Sequence, residues 1–112
     1  MKRFFAALLL LIGIHAPTWA DETIFIDVRS ADEYAEGHID GALLMPHDQI
    51  ADLIGKANIS KESSITLYCR SGRRAEMARQ TLEKLGYTNV INAGGYDQLA
   101  AKQREACTAE SC

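Results

Sequence analysis

The chain has 112 residues, with 12 lysines and arginines against 15 aspartates and glutamates and a formal charge of −3 at neutral pH. That length supports one small domain with a modest core and no second one. The acidic balance disfavours nucleic acid or an anionic membrane surface as a partner, so any bound anion must be held by local geometry.

Residues 1–20, MKRFFAALLLLIGIHAPTWA, open with Lys2 and Arg3, run apolar from Phe4 to Ile14 and close on Thr18-Trp19-Ala20. This is the pattern of a Sec signal peptide cleaved after Ala20, and the apolar run is too short for a stable membrane span. The alternative is an uncleaved anchoring helix. The expectation is a soluble, exported (periplasmic) protein beginning at Asp21, organised as a leader over 1–20, a domain over 21–102 and a polar tail over 103–112. Cleavage removes two basic and no acidic residues, so the formal charge moves from −3 to −5.

Thr23 to Val28 reads as a buried strand, and Ser30-Ala31-Asp32-Glu33 has the S-x-x-E form of a capping box opening a brief helix that Gly37 ends. Ala42 to Met45 reads as a second strand stopped by Pro46, and Asp48 to Ile54 as a helical turn or two ending near Gly55. Ser64 to Tyr68 is again apolar and β-branched. Ala75, Ala78, Leu82 and Leu85 then form a helical stripe, with Gly86 placed as its C′ residue. Asn89 to Asn92 makes a last strand, Gly94-Gly95 a tight turn, and Tyr96 to Lys102 a final helix before a polar, frayed end. Short strands alternating with helices predict an α/β fold with a mainly parallel sheet covered on both faces. Ligands in such folds bind beyond the carboxyl ends of the strands, where Cys69 falls.

Cys69 follows the third strand and precedes a helix that begins near Gly72 or Arg73, with Arg70, Arg73 and Arg74 around it. The nucleophilic form of cysteine is the thiolate, which a helix N-terminus and neighbouring cations favour. Gly72 permits the turn that lets successive N–H groups converge on one point as an anion-binding nest. Such a cup suits an anionic substrate or an anionic sulfur adduct on Cys69. A buried structural cysteine ahead of a solvated basic helix is the bland alternative, though basic residues in a first turn oppose the helix dipole.

The loop Cys69-Arg70-Ser71-Gly72-Arg73-Arg74 resembles the C-x-x-x-x-R active-site loop of the rhodanese-like sulfurtransferases. IDVRSADEYAEGHIDGALLMP upstream resembles the family's D-V-R, E-Y/F and G-H-I-x-G-A pattern with its closing proline, and NVINAGGY resembles its last strand and paired glycines. The ordered set spans nearly the whole mature chain and is closest to the small single-domain periplasmic, phage-shock type. The resemblance implies a single domain with about five strands and a thiosulfate sulfurtransferase working through a Cys69 persulfide. Thiosulfate or another sulfane-sulfur compound would be the donor and cyanide or a small thiol the acceptor. It further implies that backbone amides from Arg70 through Ala75, with Ser71 and Gly72 between them, hold the persulfide, while Arg70, Arg73 and Arg74 face the donor anion. Related phosphatases and arsenate reductases carry one more loop residue, so the count here favours sulfur. Ala75 stands where Ser or Thr is common in the family, and Tyr96 and Leu99 where a tryptophan often follows the glycines. A carrier module with little thiosulfate turnover shares every motif.

Asp27, Arg29 and Glu33 are expected to form one partly buried charge network in structural support of the loop. His38, at the G-H-I position, is expected to fix a loop by hydrogen bonding, because an ionised thiolate needs no base. His47 reads as a surface or cap residue. No metal-ligand spacing is present, so neither a metal nor another cofactor is expected. The other cysteines, Cys107 and Cys112, would lie roughly 8 to 9 Å apart in a continuous helix, beyond disulfide reach. They are a disulfide in an irregular tail, bystanders, or resolving thiols for Cys69. A monomer is expected.

Overall fold

The computed structural model describes residues 22–110, with side chains through Ala106, so the expected signal peptide, its cleavage site, Cys112 and the side chain of Cys107 lie outside the described residues. The chain alternates strands and helices: β1 (Ile24–Asp27), α1 (Ala31–Glu36), β2 (Leu43–Leu44), α2 (Ile50–Lys56), β3 (Ile65–Cys69), α3 (Arg73–Lys84), β4 (Val90–Gly95) and α4 (Tyr96–Glu110). The strands form one parallel sheet in the order β2-β1-β3-β4. The described residues thus hold four strands rather than five. They correspond to the four strand segments read from residues 22–110 of the sequence.

Alternation along the strands divides the interior in two. Ile26, Val28, Ile65, Leu67 and Cys69 point to one face and pack with Ile50, Ile54, Ala75, Ala78, Leu82 and Tyr87 from the α2 and α3 side. Tyr68 points to the opposite face, where it packs with Ile39, Ala42, Phe25 and, from α4, Tyr96, Leu99 and Ala100. The fold is therefore α/β with helices on both faces of the sheet. Both faces being covered explains why β3 is buried along its whole length, Thr66 and Tyr68 included.

Local signals place most boundaries. Ser30 caps α1 in a complete capping box, its hydroxyl accepting from the Glu33 N–H while the Glu33 carboxylate accepts from the Ser30 N–H. Helix α2 ends near Gly55 as expected, at Lys56, before Asn58 takes φ 57°. Three expectations shift. Leu85, the C-cap of α3, is 40% exposed, and Tyr87, past the turn at Gly86 (φ 101°), fills the interior instead. Gly94 and Gly95 belong to β4 rather than to a turn. Finally, α4 runs to Glu110 instead of fraying near Lys102, because Ala100 to Ala106 is a run of good helix formers with no glycine or proline to stop it.

Candidate active site

Cys69 is the last residue of β3, and Arg73 is the first of α3, so the loop between them bends from the strand's carboxyl end into a helix N-terminus. Gly72 makes the bend possible as the N-cap of α3, at φ 99° and ψ −14°, a left-handed conformation that suits glycine. There its N–H donates to the Cys69 Sγ at 2.9 Å. The first helical amides, those of Arg73, Arg74 and Ala75, have no partner within the helix and add their dipoles at the same end. Cys69 itself is only 1% exposed.

Strand β4 holds this bend from the side. The Asn92 side chain donates to the Gly72 carbonyl at 2.9 Å and accepts from the Gly94 N–H at 2.9 Å. Pairing runs Leu67↔Asn92 and then Cys69↔Gly95, so β4 spends three residues where β3 spends two. The extra residue is absorbed as a bulge with Gly94 at φ 90°. Gly95 then lies so close to the Arg70 carbonyl that an added Cβ would collide with the backbone oxygen. The paired glycines thus have distinct tasks: one turns the bulge, the other lets β4 approach the cysteine loop. Asn92 has no counterpart among the sequence-derived candidates. Its only trace in the sequence is a polar residue closing an apolar strand just ahead of Ala-Gly-Gly.

The charged residues separate into two networks rather than the single one expected. Asp27 and Arg29 are both buried, at 0% and 5% exposure. The Asp27 carboxylate accepts from the Arg29 backbone N–H at 2.9 Å, from Nε at 2.9 Å and from the outer guanidinium nitrogen at 2.7 Å. That guanidinium also donates to the Gly37 carbonyl at 2.7 Å and lies over the Tyr96 and Tyr68 rings. The Asp27 hydrogen bonds raise the Arg29 pKa further. Burial, foremost, pushes the Tyr68 phenol up, and its oxygen accepts from the Ile39 N–H at 3.0 Å.

Glu33 turns instead to the cysteine loop. Its carboxylate takes both terminal nitrogens of Arg74, at 2.9 and 3.1 Å, and the Nε of Arg70 at 3.1 Å. The Arg74 pairing, with help from Ser30 and Arg70, holds the Glu33 carboxyl well below the usual carboxylate range, and Glu33 in turn raises Arg74. Arg73 and Ser71 are exposed at the rim. His38 stacks on Tyr34 with ring centroids 3.6 Å apart and bonds the Tyr34 carbonyl through Nδ1 at 2.8 Å. A cleft of about 430 Å³ borders the loop through Arg74 and extends past Ser30 to His47 and Leu53. Among the described residues, no three His, Cys, Asp or Glu side chains gather to hold a metal ion, and no helix is long and apolar enough to cross a membrane.

In sequence and fold the chain is similar to known proteins. Residues 14–102 match the family described as "Rhodanese-like domain". The thiosulfate sulfurtransferase PspE of Escherichia coli is 34% identical over 99 residues, which cover 88% of this chain and 92% of that one. The putative sulfur carrier protein YrkF of Bacillus subtilis is 38% identical over 74 residues, 65% of this chain and 39% of the relative. Among solved structures, a rhodanese with anions from E. coli superposes with a TM-score of 0.65 at 34% identity, covering 68% of this chain and 89% of the other.

Proposed function

Since the chain belongs to the rhodanese-like sulfurtransferase family, we propose that it is an exported thiosulfate sulfurtransferase whose covalent carrier is Cys69. The observation that carries this reading is the Cys69 Sγ seated at the N-terminus of α3 with the Gly72 N–H on it at 2.9 Å. In the first half-reaction the Cys69 thiolate attacks the outer sulfur of thiosulfate, the S–S bond of the donor breaks, and sulfite leaves with the bonding electron pair. The adduct is a Cys69 persulfide carrying one negative charge on its terminal sulfur. In the second, cyanide or a thiolate attacks that sulfur, the persulfide bond breaks, and the Cys69 thiolate returns.

Each step moves negative charge along one line, from donor sulfur to cysteine adduct to acceptor. Fixed amides at a helix N-terminus stabilise charge there without having to reorganise, which is how preorganised donors accelerate such transfers. The near-complete enclosure of Cys69 favours donors and acceptors that present a single terminal atom, as thiosulfate and cyanide both do. Export of the mature chain rests on the leader pattern of residues 1–20.

Thiocyanate formation from thiosulfate and cyanide, lost in Cys69→Ser while the fold is kept, tests the reading. Retained activity in that variant would defeat it. A second reading, a persulfide carrier with little thiosulfate turnover, is favoured by the name of the B. subtilis relative. Loading of Cys69 by an organic persulfide far faster than by thiosulfate would select the carrier.

A further inference from the structure

The cysteine loop is basic, yet two of its three arginines are already occupied. Glu33 is the centre of this arrangement: its Oε1 accepts from the Ser30 N–H, the Ser30 hydroxyl and Arg74, and its Oε2 from Arg74 and Arg70. The two arginines are held differently. Arg74 is gripped through both terminal nitrogens and is 29% exposed, whereas Arg70 is held through Nε alone and is 68% exposed. A two-pronged, part-buried pair outlasts a single-bonded exposed one. Arg74 is therefore the fixed member and Arg70 the exchangeable one.

We propose that Glu33 is a specificity-determining positioning residue that competes with the anionic donor for Arg70, so that thiosulfate binds by drawing the Arg70 guanidinium away from Glu33. The inference rests on the thiosulfate reading above and names a control built into that site. A sulfonate that takes two parallel N–H groups of the Arg70 fork, from Nε and a terminal nitrogen, needs the Nε that Glu33 now holds at 3.1 Å, so the two anions compete for it. When the donor takes Arg70, Glu33 keeps Arg74 and Ser30, so the loop and α1 stay joined. Glu33 cancels one of the three loop charges in the resting protein, which limits affinity for the dianionic donor. It limits affinity equally for the dianionic leaving group, sulfite, and so favours its release. A donor without negative charge, such as an organic trisulfide, gains nothing from the exchange.

In the Cys69→Ser protein, where no sulfur can transfer, calorimetric titration with thiosulfate gives its Kd with Glu33 intact and in Glu33→Gln. The expected result is binding about three- to tenfold tighter in Glu33→Gln, the effect of one nearby unit charge under near-aqueous screening, shrinking as salt is raised. Unchanged or weaker binding in a double variant that folds, judged by circular dichroism, overturns the proposal. With Cys69 present, Glu33→Gln should lower the KM for thiosulfate and the inhibition constant for sulfite together. A merely structural Glu33 would instead lower kcat or raise KM.

Should Glu33→Gln not fold, the Cys69→Ser protein alone decides. The Nε–Hε NMR signal of Arg70 should move on saturation with thiosulfate, and a stationary signal overturns the exchange. Absence of thiosulfate:cyanide turnover in the native chain would defeat the sulfurtransferase reading, while the binding comparison would still decide the role of Glu33.

Discussion

Gly72→Ala perturbs the one backbone position on which the cysteine loop turns. At φ 99° an alanine sits in the left-handed region, at a cost of about 1–2 kcal/mol. Its Cβ would also stand 3.3 Å from the Gly94 Cα, tighter than an ordinary contact, and Gly94 is itself committed to the bulge of β4. For a domain of this size, such a loss lowers the melting temperature by about 4–16 °C. Either route of relief, rotation of φ or withdrawal from β4, tilts the Gly72 N–H away from the Cys69 Sγ it now meets at 2.9 Å. Deleting a preorganised donor at a reacting centre costs about 10²–10³ in rate, and tilting one rather than deleting it should cost about tenfold in kcat/KM for thiosulfate. Thermal unfolding and initial rates of thiocyanate formation measure the two effects separately. A variant that melts within about 2 °C of the native protein and keeps its rate within about twofold would refute both the strain and the role of this amide.

Asp27→Asn removes the charge opposite a buried arginine and turns an amide group toward its guanidinium, so urea unfolding should report a loss of about 3 kcal/mol; a loss below about 1 kcal/mol would show that Gly37 and the two tyrosine rings suffice to hold Arg29. Glu33 has a folded pKa below its ordinary 4.5, so its stabilisation is complete above that pH and fades as pH falls through and beyond it. Glu33→Gln should therefore flatten the acid side of a stability-pH curve below about 4.5, leaving the share of Glu76, which Arg79 lowers to about 2; an unchanged slope would contradict the pairing. Replacing Cys107 and Cys112 together by serine should leave most sulfur-transfer activity, and a large loss of turnover in a folded variant would assign the tail a chemical role.

Much of this architecture is legible locally. The four strand segments, the Ser30 capping box and the position of Cys69 between a strand and a helix all depend on neighbours within a few residues, and the structure keeps them. What was not legible depends on long-range meetings. Glu33 reaches Arg70 and Arg74 across sequence separations of 37 and 41 residues, while the nearer Arg29 satisfies Asp27 only two positions away. The paired glycines look like a turn because turn chemistry and bulge chemistry ask for the same residue, and only the register against β3 tells them apart. Leu85 fits the periodicity of α3, but it is the C-cap residue, where the helix has already left the sheet and Tyr87 folds back in its place.

The most direct test of the central claim is the intact mass of the protein before and after thiosulfate, and again after cyanide, with Cys69→Ser alongside. The account predicts a gain of one sulfur, about 32 Da, in the native protein, its removal by cyanide as thiocyanate appears, and no gain in Cys69→Ser. No gain from thiosulfate, or an equal gain in the serine variant, would contradict Cys69 as the covalent sulfur carrier.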